Sequence, residues 1–192
     1  RTIRLIQEPD EYGSSFQFLV NERPVFMKGA NLVPYDALSP LHSDPEVFIR
    51  SLQESHFNMI RIWGGGTYES DSFYQACDQY GILVWQDFMF ACAMYPGDDH
   101  FLENVREETL QQITRLSGYA CIALWCGNNE NHEGWERWGW QLTLTPKSRK
   151  RIWGDYEKLF LDILPGLVSS YGNQCSYVDS SPKFGRGDSR FK

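Results

Sequence analysis

Cys121-Ile122-Ala123-Leu124-Trp125-Cys126-Gly127-Asn128-Asn129-Glu130-Asn131 is an apolar run that ends in a glycine, amides and one carboxylate. The run from Cys121 to Trp125 has the length and composition of a buried strand. The polar residues that follow would stand at the strand's carboxyl end, just before a helical segment. In α/β folds that edge of a parallel sheet is where ligands and chemistry are found. The same residues also suit a helix start, because Asn caps helices and Glu favours a first turn. The rest of the chain favours the cleft.

Working outward, apolar strand-like runs alternate with helical patterns. Phe16–Val20 and Val25–Met27 flank the turn residues Asn21-Glu22-Arg23-Pro24, with Lys28–Asn31 continuing the second strand. Asp44 and Pro45 then open a helix whose apolar face is Phe48, Ile49 and Leu52. Asn58–Trp63 is the next strand and runs into Gly64-Gly65-Gly66, read as a tight turn at the sheet edge because neither a P-loop nor a G-x-G-x-x-G spacing is present. A helix over about 71–80 ends at Gly81, and Ile82–Trp85 is again a strand, closing in Gln86-Asp87. The loop 88–97 is unusually apolar. A long helix spans about 99–116, and another is expected over 147–170 with its C-terminal cap at Gly172. Ser176–Asp179 is a last short strand. Strand–helix alternation with near-continuous apolar strands means a parallel sheet covered by helices. The pattern holds about five strands, and an eight-stranded (β/α)8 TIM barrel typically needs ~250 residues. The expectation is therefore an α/β chain comprising about the first five βα units of such a barrel. An open doubly wound sheet is the alternative. Residues 1–12 form a half-buried strand ended by Pro9, read as the end of a preceding β-sandwich domain or linker. Residues 13–192 are read as the N-terminal portion of the barrel.

Composition narrows the function. The 192 residues carry 18 Lys and Arg against 25 Asp and Glu, a net charge of −7, with no basic stripe. That disfavours nucleic acid and anionic membranes as partners, and no apolar run reaches the length of a membrane span. Arg1–Ile6 lacks the pattern of a secretory signal, and the compartment is not legible. Five cysteines without C-x-x-C spacing and four scattered histidines indicate free thiols and no metal site, and no cofactor is expected. Seven Trp within 15% aromatic residues suit either a core or the stacking faces of a sugar site.

The presumed strand ends gather a polar set. Asn31 and Asp36 follow the first parallel strand, Arg61 and Trp63 end the second, and Asp87 ends the third. Trp125, Asn129 and Glu130 end the fourth, and Asp179 the fifth. Carboxylates, one arginine, amides and indoles together suit a neutral polyhydroxylated substrate.

Four segments in order, Phe26-Met27-Lys28-Gly29-Ala30-Asn31, Arg61 to Glu69 (RIWGGGTYE), Trp85 to Cys92 (WQDFMFAC) and Trp125 to Asn131 (WCGNNEN), resemble the catalytic barrel of the β-mannosidases of glycoside hydrolase family 2. Gly185-Arg186-Gly187-Asp188-Ser189 is similar to a segment after that barrel's fifth strand. Leu32 departs from the family, where many relatives carry tryptophan. The resemblance implies a retaining exo-glycosidase acting on terminal β-mannosides or oligosaccharides. Glu130 would be the general acid/base, Asn129 the amide that binds the sugar 2-hydroxyl, and Arg61 the arginine that helps hold the nucleophile. In retention the first carboxyl protonates the leaving oxygen and later activates water, while a second attacks the anomeric carbon. The family's nucleophile glutamate lies on the seventh strand, so it is expected outside this chain, among the remaining parts of a parent enzyme. The isolated chain is then expected to be inactive. The alternatives are a family 2 β-galactosidase or similar enzyme and, in a different class, a non-catalytic carbohydrate-binding module. Adhesion through Arg186-Gly187-Asp188 is a third, which the family explains as barrel sequence.

Overall fold

A computed structural model describes residues 1–34 and 44–183. Asp36 and the Arg186-Gly187-Asp188 tripeptide lie outside the described residues.

The chain opens with an antiparallel sheet of β1 (Ile3–Ile6), β2 (Gln17–Val20) and β3 (Arg23–Val25), in that order. Asn21 and Glu22 both take positive φ, 50° and 63°, which is what a two-residue hairpin needs if its twist is to match the strands. The expected continuation of this hairpin through Lys28–Asn31 fails. β3 stops at Val25, and β4 (Gly29–Leu32) belongs to a second sheet. Asn58 sits at the crossing: its Oδ1 accepts from the Lys28 N–H at 2.6 Å and its Nδ2 donates to the Phe26 carbonyl at 2.9 Å. These bonds use the backbone groups that would otherwise extend the hairpin ladder.

The second sheet is parallel and contains β4, β5 (Met59–Ile62), β6 (Leu83–Asp87), β7 (Ile122–Asn129) and β8 (Ser176–Ser181) in chain order. Each crossover thus advances the sheet by one strand. The crossovers carry α1 (Pro45–Glu54), α2 (Asp71–Tyr80), α3 (Asp99–Leu116), α4 (Asn131–Arg137), α5 (Pro146–Tyr156) and α6 (Leu164–Tyr171). Their starts follow local chemistry. Asp44, Ser70, Asp98 and Thr145 each accept an N–H of the first turn, and Pro45 and Pro146 occupy first-turn positions where no N–H is missed. Gly81 ends α2 with φ of 75°. No described helix is long and apolar enough to cross a membrane.

The single helix expected over 147–170 is interrupted by a π-helical turn, Glu157–Ile163, between α5 and α6. Pro165, at the start of α6, has no N–H to return to the preceding turn. The wider turn keeps Tyr156, Phe160, Leu164 and Val168, four residues apart, all buried. Gly172 closes α6 with φ of −83°, so left-handed freedom is not why glycine stands there. A Cβ at that position would press on the Val168 carbonyl at 2.6 Å.

Two apolar clusters flank the parallel sheet. One lies on the helix side and includes Ile60, Ile62, Val84, Ile122 and Trp125 with Phe73, Ile113, Phe160 and Leu164. The other contains Met59, Leu83, Ala123, Leu124, Cys126 and Val178 on the opposite face, against Phe18 of the antiparallel sheet. Alternation along β5 and β6 assigns residues to the two sides as a period of two requires. β7 breaks it. The β6–β7 register jumps from Val84↔Ile122 to Trp85↔Leu124, so Ala123 is an extra residue. Ala123 and Leu124 both face the second cluster, and Trp125 is turned to the helix side.

Candidate active site

The carboxyl edge of the parallel sheet carries a continuous chain of polar contacts. Arg61 on β5 donates twice to Asp87 at the end of β6, through Nε to Oδ1 at 3.1 Å and through one terminal nitrogen to Oδ2 at 2.7 Å. That terminal nitrogen also donates to Asn129 Oδ1 on β7 at 3.0 Å. Asn129 Nδ2 in turn donates to Glu130 Oε2 at 3.0 Å. These partners fix the orientation of the Asn129 amide. Three strands therefore contribute to one series that ends on a carboxylate: Arg61 is in register with Trp85 and Asp87 with Cys126, so the long Arg61 side chain reaches along the sheet toward its carboxyl edge to meet both Asp87 and Asn129.

Asp87 is fully buried. Besides Arg61, its oxygens accept from the Gly64 N–H at 3.0 Å and from Trp85 Nε1 at 3.1 Å. Burial pushes its carboxyl up from the ordinary value, while Arg61 and the Gly64 N–H pull it back. Four donors on two oxygens hold the ionised form. The glycine turn serves this contact. A Cβ on Gly64 would meet the Phe88 and Phe90 carbonyls at 2.7 and 2.6 Å, so only glycine brings that N–H to Asp87. The Arg61 guanidinium also lies 5.5 Å from the centre of the Trp85 ring.

Glu130 is half-buried and left-handed, with φ of 65°. Its N–H donates to the Ser181 carbonyl at 3.1 Å and its carbonyl accepts from Gly134, the first bond of α4. At this strand-to-helix corner the carboxylate stays within hydrogen-bond reach of Asn129, the last residue of β7. Asn128 braces the corner from below. It donates to the Asp179 carbonyl at 2.8 Å and accepts from Asn131 N–H at 3.1 Å and Ser180 Oγ at 2.7 Å.

The sequence-derived residues are distributed unevenly. Arg61, Asn129 and Glu130 meet. Trp63 follows β5 at the same edge, half-buried, with its ring against Gly65. Asn31 is exposed and in register with Arg61. Two readings need correction. Trp125 is not a cleft residue: it is fully buried and stacked on Phe88 with ring centres 4.9 Å apart, because the bulge at Ala123 rotates it to the helix side. Asp87 does not face an open cleft either, and its oxygens are taken up in holding Arg61.

Sequence reasoning missed Cys92, whose thiol donates to Glu130 Oε2 at 3.4 Å and accepts from Asn129 Nδ2 at 3.5 Å. Its signals were a place in an apolar loop and the last position of the family-like segment Trp85 to Cys92, neither of which attached a role to it. Among the described residues no group of three or more His, Cys, Asp or Glu is placed to hold a metal ion.

Fold and polar edge define a class: an α/β chain whose parallel sheet presents, at its carboxyl edge, an arginine, an amide and a carboxylate in hydrogen-bonded series. Within that class the chain is a relative of the β-mannosidases. It is 39% identical over 189 residues to the β-mannosidase of Bos taurus and 37% identical over 187 residues to β-mannosidase B of Aspergillus clavatus, covering 96% and 95% of this chain. A β-D-mannosidase structure from Dictyoglomus thermophilum superposes with a TM-score of 0.86 at 41% identity, covering 98% of this chain and 22% of that one. A β-glucuronidase from Parabacteroides merdae, at 19% identity with a TM-score of 0.63 over 88% of this chain and 20% of its own, shares the fold alone. No family model matches. The chain spans about a fifth of the length of the curated relatives it matches.

Proposed function

We infer that this chain is the acid/base-bearing portion of a retaining exo-glycosidase that cleaves terminal β-mannosidic bonds. The observation that carries the reading is the series Arg61–Asn129–Glu130 at the carboxyl edge of the parallel sheet, in a relative of β-mannosidases. Glu130 protonates the departing oxygen and then takes a proton from water. Asn129, held by Arg61, keeps its Nδ2 beside Glu130, where it can serve a sugar hydroxyl. Arg61 is oriented by Asp87 and supplies positive charge next to the reacting centre.

Double displacement needs a second carboxylate ~5–5.5 Å from the first. Asp87 is committed to Arg61, Gly64 and Trp85, and Asp179 to Tyr156 and Lys183. The family resemblance puts the attacking glutamate on a later barrel strand, and we assign it to another part of the parent protein. In the same reading, the five parallel strands are the first five βα units of a TIM barrel. Residues 1–12 lead in from a preceding β-sandwich domain, and 13–192 begin the barrel.

The test is hydrolysis of 4-nitrophenyl β-mannoside by the 192-residue chain and by the protein extended through the remaining barrel. The expected result is activity in the extended protein alone, lost with Glu130→Gln. Activity in the short chain would place the second carboxylate here and sink the two-part reading. Preference for a β-galactoside would move the substrate to that sugar, and sugar binding without any hydrolysis would make the chain a binding module.

A further inference from the structure

We propose that Cys92 is a positioning residue for Glu130, holding the acid/base carboxylate through its thiol. Three observations converge. The thiol lies between the two side chains of the reacting pair, donating to Glu130 Oε2 at 3.4 Å and accepting from Asn129 Nδ2 at 3.5 Å. Together with the Asn129–Glu130 bond of 3.0 Å, these contacts close a triangle in which each member touches the other two. The backbone is built to place it. Cys92 N–H donates to the Asn129 carbonyl and Asn129 N–H to the Phe90 carbonyl, both at 2.9 Å, so the loop after β6 pairs with the end of β7 through the Ala91–Asn129 bridge. Finally, Cys92 and Glu130 are both left-handed without being glycine, with φ of 49° and 65°. Such conformations cost free energy and persist where the surrounding structure imposes them, commonly at functional sites. Two of them facing each other across one hydrogen bond mark this corner as built around the carboxylate.

Sulfur suits the task. A thiol is a weak donor and a weak acceptor, so it steers a carboxylate without binding it as firmly as a hydroxyl or an ammonium would. Glu130 must gain and lose a proton in each turnover, and a strong fixed donor would hold it ionised. The contact also acts on the sulfur: partial desolvation by its neighbours pushes the Cys92 thiol up although the residue as a whole is exposed, and the Glu130 carboxylate pushes it further. Cys77, Cys121 and Cys126 are buried, the last with its thiol on the Asn128 carbonyl, whereas Cys92 is exposed and meets Glu130.

The proposal rests on the glycosidase reading, and two experiments separate them. In the full-length protein that carries this segment, kcat/KM is measured for a β-mannoside with an alkyl leaving group, which needs protonation, and for 2,4-dinitrophenyl β-mannoside, which does not. Cys92→Ala should lower the first about five-fold and the second less than about two-fold, the loss of one weak hydrogen bond to a charged group. Cys92→Ser should recover part of the first, because its hydroxyl restores the contact but holds the carboxylate more firmly than a thiol. Equal losses on both substrates, or no rescue by serine, would overturn the positioning role. If Glu130→Gln itself left the alkyl mannoside unaffected, the acid/base assignment would fall, and this proposal with it. The second experiment needs no activity. In the 192-residue chain, alkylation of Cys92 by iodoacetamide at pH 8, followed by peptide mass spectrometry, should speed up about three-fold or more in Glu130→Gln, because the charge that keeps the proton on sulfur is gone. An unchanged rate would show that the thiol and the carboxylate do not engage.

Discussion

Arg61→Met tests the polar edge most directly, because it leaves a buried carboxylate without its cation. Asp87 has no exposed side-chain surface and Arg61 is 14% exposed, so water cannot replace the guanidinium. Removing one partner of a buried pair typically costs ~3–5 kcal/mol, most of it the penalty of the charge left behind. The Gly64 and Trp85 donors remain, which places the expected loss near ~3 kcal/mol at pH 7. The cost should depend on pH with a definite sign. Burial already raises the folded-state carboxyl, and the two opposing contributions from Arg61 vanish in the variant, so the folded value rises further. A carboxyl raised on folding binds more protons folded than unfolded. Stability is therefore highest below the unfolded value of about 3.9 and falls as pH climbs through the folded value. Urea unfolding of the 192-residue chain, followed by tryptophan fluorescence at pH 4 and pH 7, should show Arg61→Met costing ~1–2 kcal/mol at the lower pH, where a neutral carboxyl needs no cation, and ~3 kcal/mol at the higher. Arg61→Met with Asp87→Leu should recover most of the loss. A cost below about 1 kcal/mol at pH 7, or one equal at both pH values, would refute the argument that a desolvated ion pair organises this edge.

Glu130→Gln in the full-length protein should lower kcat/KM for an alkyl β-mannoside by roughly 10²–10⁴, the usual range for losing a general acid, with thermal unfolding nearly unchanged because the side chain is only half-buried. Gly127→Ala should destabilise by about 1–3 kcal/mol, since the new methyl would press on Tyr177 and on the Asp179 carbonyl of β8, and chemical denaturation would register the loss. Phe88→Ala should cost about 3–5 kcal/mol and blue- or red-shift the tryptophan emission, because it removes the ring stacked on the buried Trp125. A variant with wild-type stability at either position would contradict the packing described.

Much of the fold is local and could be read directly. Caps at Asp44, Ser70, Asp98 and Thr145 act within their own first turns, and Gly81 ends its helix by its own φ. The acid/base candidate and its amide neighbour are adjacent in sequence, so a strand running into polar residues marked them as strand-end candidates, and the family resemblance supplied their roles. The misreadings have non-local causes. Trp125 followed simple alternation until a bulge against β6 inserted Ala123 into the count. The hairpin was extended through Lys28–Asn31 because nothing near it announces Asn58, thirty residues on, which claims its backbone groups. The π turn arises from a proline placed inside an otherwise regular apolar stripe.

The amino-acid sequence by itself determined the alternation of strands and helices, the parallel sheet they imply, and the presence of Arg61, Asn129 and Glu130 at strand ends. Periodicity and capping are short-range properties, written within a few residues of where they act. Only the tertiary structure decided what each of those residues touches. Arg61 reaches partners 26 and 68 positions away, and Cys92 reaches one 38 positions away. Such distances are closed by strand register, and register is a property of the assembled sheet. For that reason Asp87, one more strand-end carboxylate in the sequence, is in the fold the buried anchor of an arginine, and Cys92, to which the sequence attached no role, is the neighbour of the proposed acid/base carboxylate.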